Sequence, residues 1–137
     1  TGSILTLGKG SFYARSKKQG INTISSTESE LVGLTEGLGN VIWCRNWLIA
    51  QRYTSQPATV YQDNQSTIKM VENGETTSNR TRHIATRYFF AHDRVKSGEI
   101  QLKYKPTEDM IADLLTKPLQ GKAFRKLRDL LLNCKCT

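Results

Sequence analysis

The longest regular pattern in the sequence predicts one long helix that begins at Thr27 and ends near Arg52. The segment from Thr27 to Glu30 matches a capping box, in which a hydroxyl caps the helix and a Glu follows three residues later. Apolar residues then recur at steps of three and four residues, the period of an amphipathic helix. Internal glycines indicate close packing, so the fold must provide another element against this helix. The apolar stripe comprises Leu31, Leu34, Leu38, Val41, Ile42, Leu48 and Ile49, and the glycines are Gly33, Gly37 and Gly39.

Strand and helix patterns surround this helix in an order typical of an α/β protein. Strands are predicted over 1–7 and 11–15 as a hairpin, over 58–62 and over 99–104, with a weakly extended piece over 21–25. Shorter helices are predicted over 64–72, over 81–96, from Pro106 to Pro118 and over 121–133. Antiparallel strands come first and helical crossovers lead to the later strands, which predicts one mixed sheet flanked by helices. Residues 1–137 are predicted to form a single domain with a tail at 134–137.

The charge balance points to a polyanionic partner. Lys and Arg number 20 and Asp and Glu number 12 among 137 residues, which gives a net charge of +8. Nucleic acid is the first polyanion to test, although many domains are basic for solubility alone. No apolar run approaches the ~18 residues that span a bilayer, and no secretory signal opens the chain, so we predict no membrane association.

The cysteines predict a reduced, intracellular protein. Cys44 lies in an apolar stretch, whereas Cys134 and Cys136 fall in the last four residues. Three thiols do not form a disulfide framework, and one C-x-C at a tail is not a zinc site.

Three carboxylates do not fit the polar faces that hold most of the acids. Glu30 shares a helix face with Leu34, Gly37 and Val41, so it is predicted to point toward the sheet. Its alternative role is the capping box itself. Asp63 follows a strand predicted to be buried, at the carboxyl end where ligands bind in open α/β sheets.

Asp63 has the N-cap of the next helix as its alternative role. Asp113 lies between Ala112 and Leu114 in an apolar helix, with a solvated edge position as its alternative. Acids from three elements that meet at one edge repel one another unless a cation neutralises them. Mg²⁺ binds through a few carboxylates and keeps waters and substrate phosphates. Two such ions about 3.5–4 Å apart stabilise both the attacking and the leaving oxygen in phosphodiester cleavage.

Other chemically active side chains have structural alternatives. His83 and His92 are nine residues apart, which is not the spacing of a helical metal pair, so packed or surface histidines are predicted. Trp43 and Trp47 lie one turn apart on the long helix and are predicted to belong to the core rather than to stack on bases.

Four ordered segments of the chain carry a family resemblance. They are 25–31 (SSTESEL), 60–66 (VYQDNQS), 82–84 (RHI) with 87–90 (RYFF), and 112–119 (ADLLTKPL). Together they resemble the ribonuclease H domain at the C-terminal end of copia-type LTR-retrotransposon Pol polyproteins, over nearly the whole chain. The resemblance implies a ribonuclease H-like fold that cleaves the RNA strand of RNA/DNA hybrids during reverse transcription. It implies two Mg²⁺ ions, with Mn²⁺ as a substitute.

The resemblance also implies site residues. The family usually has four catalytic acids: an Asp on the first strand, a Glu opening the first long helix, an Asp ending a later strand and an Asp in a late helix. By motif, the last three are Glu30, Asp63 and Asp113, as catalytic and metal-binding residues. Glu28 is the substitute for Glu30, and Asp109 is the substitute for Asp113.

Residues that bind the hybrid follow from the resemblance and from the basic stretches. Gln65, two residues after Asp63, resembles a family position that touches the hybrid backbone. Basic side chains would contact phosphates without reading sequence, and a solvated basic face is their alternative role. The predicted nucleic-acid-binding residues are Gln65, Lys17, Lys18, Arg80 and Arg82. The implied partners are the hybrid and the upstream reverse transcriptase domain of the same polyprotein, in a cytoplasmic virus-like particle or in the nucleus.

The chain departs from the family at its start. Its first predicted strand matches the family's second strand, and no Asp or Glu precedes Glu28, so the first catalytic Asp has no counterpart. We therefore expect an N-terminally truncated domain with impaired turnover. One alternative is a catalytically inactive remnant that binds or tethers nucleic acid. The other is a structural remnant whose partner fills the empty strand position.

Overall fold

A computed structural model describes residues 1–20, 22–23, 25–53, 56–74 and 82–134, except the side chains of Arg82 and His83. The described residues form a mixed α/β structure, in agreement with the predicted α/β class. The chain divides into a hairpin unit (1–20 with 105–137) and a crossover unit (21–104). The elements are β1 (Gly2–Thr6), β2 (Ser11–Ser16), α1 (Ser26–Ala50), β3 (Ala58–Gln62), α2 (Gln65–Asn73), α3 (Arg82–Lys96), β4 (Ile100–Tyr104) and α4 (Gly121–Leu132).

The strands pair as two separate sheets. β1 and β2 form an antiparallel hairpin in which Ile4 pairs with Ala14. β3 and β4 pair in parallel, in register from Ala58 opposite Ile100. The described strands thus form two two-stranded sheets, and the prediction of one mixed sheet is wrong. Alternation in a sequence fixes which face of a strand is buried, but not which strand becomes its neighbour.

The start of α1 differs from the predicted capping box. Ser25 caps the helix, and its Oγ accepts a hydrogen bond from the backbone N–H of Glu28 at 3.2 Å. The helix therefore begins at Ser26, and the prediction of Thr27 as the cap is wrong. Both Ser25–Glu28 and Thr27–Glu30 match the pattern of Ser or Thr followed three residues later by Glu. The motif therefore occurs twice, and the earlier copy starts the helix.

The core of the crossover unit lies between α1, α2, α3 and one face of the β3–β4 sheet. A partly buried polar contact joins two of the helices, because the Arg87 guanidinium on α3 donates to Thr35 Oγ1 on α1 at 3.0 Å. Thr35 Oγ1 in turn lies 3.0 Å from the carbonyl oxygens of Leu31 and Val32, one turn back along α1. The buried apolar residues are Leu31, Val32, Leu34, Leu38, Ile68, Val71, Ile84, Tyr88, Ala91, Ile100 and Leu102.

The second half of α1 lies outside this core. Its fully buried residues end at Leu38, and Val41 and Ile42 are only partly buried. Trp43 is 67% exposed and Trp47 is 49% exposed, so the prediction that both belong to the core is wrong. That prediction rested on helical spacing, which fits a solvent-facing stripe as well as a buried one.

β3 is half-buried rather than buried. Ala58 and Val60 pack against the core, whereas Thr59 and Tyr61 on the opposite face are exposed. On the exposed face, the Gln101 side chain donates to Thr59 Oγ1 at 2.7 Å across the two strands. A sheet with helices on one face only explains this alternation.

The hairpin unit packs β1 against residues 111–116. Ser16 Oγ donates to the carbonyl oxygen of Leu115 at 2.8 Å. A Cβ at Gly2 would lie 2.8 Å from the carbonyl oxygen of Ala112, so only glycine allows this close approach. On α4 of the same unit, Leu127 is buried.

The segment before Pro118 is not the α-helix that the sequence predicts. It forms two 3₁₀ turns, Thr107–Asp109 and Ile111–Leu115, separated by Met110 in extended conformation. The second turn is closed by tight bonds, such as Asp113 N–H to the carbonyl oxygen of Met110 at 3.1 Å. Because an extended residue interrupts the segment, the apolar spacing does not become a continuous helix.

Some predictions fall outside the described residues. The extended piece over 21–25 includes Ile21 and Ile24, and the predicted phosphate contacts include Arg80 and the Arg82 side chain. Within the described residues, Cys44 and Cys134 form no disulfide. In the same part of the chain, none of the helices has the length and apolar character needed to cross a bilayer.

Candidate functional site

The carboxyl end of β3 is fixed by a buried side chain. Gln62 is buried, and its Oε1 accepts hydrogen bonds from the backbone N–H groups of Asp63 at 2.8 Å and Asn64 at 3.3 Å. Asn64 caps α2, since its Oδ1 accepts from the Thr67 N–H at 3.1 Å. Asp63 is therefore not the helix cap, and that alternative role is wrong. The Asp63 side chain is partly buried directly after the strand.

The first turns of α1 place a second carboxylate. Because Ser25 is the cap and Glu28 occupies the third helical position, Glu30 is outside the capping box. The Glu30 side chain is partly buried, one residue before the fully buried Leu31. The third helical position, where the capping box has its Glu, is thus occupied by Glu28, the substitute residue.

A direct contact joins these two places. Thr67 Oγ1, near the start of α2, lies 3.4 Å from the carbonyl oxygen of Thr27 in the first turn of α1. Along the chain, Glu30 follows Thr27 by three residues and Asp63 precedes Thr67 by four, so both acids belong to the two segments that this contact joins.

Asp113 lies in the hairpin unit. Lys117 Nζ forms an ion pair with Asp113 Oδ2 at 2.7 Å, and the Asp113 side chain is largely buried. The carbonyl oxygen of Asp113 also accepts from the backbone N–H groups of Thr116 at 3.1 Å and Lys117 at 2.8 Å. Lys117 therefore neutralises the carboxylate that the sequence assigns to a cation.

Asp109, the substitute for Asp113, is paired as well. The Lys126 ammonium on α4 donates a hydrogen bond to the Asp109 carboxylate, which lowers the pKa of Asp109. The same hydrogen bond raises the pKa of Lys126.

Within neither unit do the described residues include three or more His, Cys, Asp or Glu side chains arranged to hold a metal ion. The crossover unit does offer two carboxylates at one end. Carboxylate oxygens are the donors that Mg²⁺ prefers, and Mg²⁺ is often held by one or two of them together with waters and substrate phosphates. The donor chemistry of Glu30 and Asp63 therefore fits this ion.

The predicted nucleic-acid-binding residues differ in their surroundings. Gln65 is exposed as the first residue of α2, two residues from Asp63. Lys17 and Lys18 are exposed directly after β2. The backbone N–H of Lys17 extends the hairpin by donating to the carbonyl oxygen of Thr1 at 2.9 Å.

Several other basic side chains serve the fold. Arg87 links α3 to α1, and Arg94 forms an ion pair with Glu99 at 2.8 Å. His92 is packed, with Nδ1 2.7 Å from the Val71 carbonyl oxygen, in agreement with its predicted structural role.

Two positioning residues escaped the sequence analysis, namely Gln62 and Thr67. Both are polar and buried, and each one positions backbone near a candidate carboxylate. For Gln62 a signal exists in the sequence, because it continues the inward-facing series of Ala58 and Val60 with a polar residue. Thr67 gives no such signal, since its partner is a backbone atom forty positions earlier in the chain.

Comparison with known proteins identifies homologues over most of the chain. It is 34% identical over 126 residues to a retrovirus-related Pol polyprotein from transposon RE1 of Arabidopsis thaliana, covering 90% of the chain and 8% of that protein. It is 29% identical over 131 residues to the retrovirus-related Pol polyprotein from transposon TNT 1-94 of Nicotiana tabacum, covering 96% of the chain and 10% of that protein. The transposon Ty1-JR2 Gag-Pol polyprotein of Saccharomyces cerevisiae is 28% identical over 131 residues, and the match covers 92% of the chain and 7% of that protein.

The homologues are thus Pol polyproteins of copia/Ty1-type retrotransposons, in agreement with that part of the predicted resemblance. The chain spans about a tenth or less of the length of these relatives. No protein-family model matches the chain, and no solved structure matches it.

Proposed function

We propose that this chain is a ribonuclease H-type endonuclease segment of a retrotransposon Pol polyprotein, which cleaves the RNA strand of RNA/DNA hybrids with Mg²⁺. Homology to retrotransposon Pol polyproteins supports a retroelement-related role. The ordered motifs and the net charge of +8 support a hybrid as the substrate.

The observation that carries the proposal is the exclusion of the capping roles. Caps are supplied by Ser25 and Asn64, so neither Glu30 nor Asp63 is needed to start its helix. Both acids nevertheless lie at one end of the crossover unit, beside the hydrogen bond from Thr67 to the Thr27 carbonyl oxygen. Carboxylate oxygens are the donors that Mg²⁺ prefers, so two acids in the two joined segments favour a metal site there.

Each residue has a defined task in this proposal. Glu30 and Asp63 hold the cation, and Gln65 contacts the hybrid backbone beside them. Bound Mg²⁺ supplies charge stabilisation for the attacking and leaving oxygens of the phosphodiester. Asp113, the third acid that the resemblance implies, is paired with Lys117 in the hairpin unit.

The proposal extends to the surroundings of the chain. The fold is proposed to be ribonuclease H-like, and the upstream reverse transcriptase domain of the same polyprotein is the proposed neighbour. The proposed location is intracellular, in a virus-like particle in the cytoplasm or in the nucleus. Mn²⁺ is proposed to replace Mg²⁺, since both are hard ions that carboxylates bind.

The proposed activity is tested with a hybrid labelled separately on its RNA and DNA strands. We expect slow, Mg²⁺-dependent cleavage of the RNA strand only, abolished by chelation. A matched RNA/RNA duplex should stay intact, because hybrid groove shape and the DNA sugars select the substrate. Cleavage of the DNA strand, or cleavage that persists without divalent ions, would contradict the proposal.

A second candidate function is an inactive module that binds or tethers nucleic acid. The Asp113–Lys117 ion pair favours it, because a paired carboxylate is a poor metal ligand. In this case the chain binds the hybrid with strong salt dependence, but Mg²⁺ neither changes the affinity nor leads to cleavage. Binding without cleavage by the wild-type chain would therefore select the second function over the first.

A further inference from the structure

The second half of α1 presents an open aromatic stripe to solvent. Gly39, Trp43, Asn46, Trp47 and Ala50 recur at three- and four-residue steps and are all exposed. A Cβ built at Gly39 would meet nothing within 4 Å, so the close packing predicted there is wrong. The two indole rings thus stand between small or polar neighbours, where a flat ligand can approach them.

From Gly39 onward the stripe is accompanied along the chain by basic side chains, and the nearest acid on the same helix face is Glu36, one turn earlier. No Asp or Glu occurs from residue 37 to residue 62, whereas Arg45 and Arg52 both fall in that range. Among the described residues, the Arg52 guanidinium forms no ion pair. An apolar patch that docks a protein usually has rim charges of both signs, but the stretch of chain from Gly39 to Tyr53 is aromatic and only basic.

The end of α1 holds a further aromatic and basic pair in place. The Arg52 N–H donates to the Ile49 carbonyl oxygen at 2.8 Å, and the Tyr53 N–H donates to the Leu48 carbonyl oxygen at 2.9 Å. These two bonds form a Schellman motif, in which Arg52 adopts a left-handed φ of 64°. Tyr53 is 65% exposed directly after it. The helix end therefore adds one ring and one cation to the stripe.

We infer that Trp43, Trp47, Arg52 and Tyr53 form a binding surface for single-stranded nucleic acid. Aromatic rings stack on unpaired bases of any sequence, and arginine neutralises the phosphates between them. A duplex does not offer its base faces to such rings, so the preferred ligand is unpaired. The surface is separate from the proposed metal site, because thirteen residues of helix place Trp43 roughly 20 Å along α1 from Glu30.

Intrinsic fluorescence tests this surface directly, since Trp43 and Trp47 are the two tryptophans of the chain. The 137-residue chain is titrated at low salt with an oligothymidylate of twelve nucleotides. We expect quenching of the indole emission as bases stack on the rings. Trp43→Ala and Trp47→Ala should each weaken binding by at least about 5-fold.

Two controls separate stacking from charge and from folding. Phe89→Ala removes an exposed ring from α3 and should leave the affinity unchanged. Arg52→Gly removes the cation but suits the left-handed φ, so helix content is retained while the slope of log affinity against log salt falls by about 0.7. These measurements do not depend on hydrolysis, so a failure of the proposed binding surface can be told from a failure of the proposed ribonuclease activity.

Several results would overturn the inference. One is the absence of quenching at low salt, and another is equal quenching by inorganic polyphosphate, which has no bases. A third is an equal loss of affinity in Phe89→Ala. A fourth is sedimentation equilibrium that shows a dimer dispersed by Trp43→Ala, which would make the stripe an interface between copies of the chain.

Discussion

Thr67 Oγ1 lies 3.4 Å from the carbonyl oxygen of Thr27 and joins the start of α2 to the first turn of α1. Thr67 is fully buried, whereas Thr27 is partly buried. The contact joins the two segments that carry Glu30 and Asp63. Nothing in the sequence distinguishes Thr67 from an ordinary helix residue, yet we propose that its hydroxyl helps to position the metal site.

Replacing this hydroxyl should separate stability from activity. Thr67→Val loses the hydrogen bond and Thr67→Ser loses a buried methyl group, and each change should cost about 1 kcal/mol in the free energy of unfolding. Only Thr67→Val should slow Mg²⁺-dependent hybrid cleavage, by roughly 10-fold, because a positioning contact is lost. Denaturant unfolding and cleavage rates measure the two effects. Equal rates in the two variants would show that the hydroxyl does not position the site.

Gln62 should contribute more to the free energy of unfolding than Gln101, a glutamine on the exposed face of the same sheet. Gln62→Met leaves the backbone N–H groups of Asp63 and Asn64 without their acceptor, at a cost of about 2 kcal/mol. Gln101→Met is the matched control, because it removes a hydrogen bond on the exposed face of the sheet and should cost about 0.5 kcal/mol. Urea unfolding of both variants gives the comparison. Similar costs would mean that Gln62 does not hold the end of β3.

The sequence predicts local elements of this chain well, because local patterns determine them. Alternating residues and turn residues indicate the hairpin, and β3 and β4 are recovered to within one residue. α2 starts after Asn64 and ends at Gly74, whose φ of 72° favours glycine.

Features that depend on distant partners are predicted less well. The mixed sheet is wrong because strand neighbours are chosen by backbone pairing across the fold. Trp43 and Trp47 are misplaced because a helical stripe does not say which stretch of a long helix has a partner. Of the proposed site, Glu30 and Asp63 stay predictions from the sequence, whereas the hydrogen bond from Thr67 that joins their two segments required the structure.

Two glycines with the same backbone conformation should differ in their tolerance of alanine. Gly74 and Gly98 both have φ 72°, so either substitution costs about 1 kcal/mol for a left-handed alanine. At Gly74 the new Cβ would also lie 3.2 Å from His92 Cε1, whereas at Gly98 it meets nothing within 4 Å. His92 cannot easily move, because it bonds the Val71 carbonyl oxygen and stacks on Tyr88.

We therefore expect Gly74→Ala to lower the free energy of unfolding by about 1 kcal/mol more than Gly98→Ala does. Thermal unfolding of the two variants side by side measures the difference. Equal losses of stability would indicate that the His92 side chain can move away from the new Cβ without lowering the free energy of unfolding.

The Asp109–Lys126 pair should make the hairpin unit sensitive to acid and to alkali. The pKa of Asp109 is lowered below its ordinary value of 3.8, so its contribution to stability is present above pH 3.8 and is lost as pH falls through the lower folded value. The pKa of Lys126 is raised above 10.5, so its contribution is present below pH 10.5 and is lost as pH rises through the higher folded value.

Lys126→Met should raise the pKa of Asp109 toward 3.8, as measured by carbon NMR titration of the carboxyl group. Lys122→Met, on the exposed face of the same helix, is the control and should leave the titration unchanged. A change of equal size in both variants would indicate a general charge effect instead of the hydrogen bond.

The most direct test of the proposed function is hybrid cleavage by the wild-type chain, Asp63→Asn and Asp93→Asn. Asp93 is exposed on α3, so Asp93→Asn makes the same change in net charge away from the proposed metal site. We expect Mg²⁺-dependent RNA cleavage by the wild type and Asp93→Asn, and a rate at least about 100-fold lower for Asp63→Asn, because a metal ligand is lost. No cleavage by the wild type, or an undiminished rate in Asp63→Asn, would contradict the proposed site.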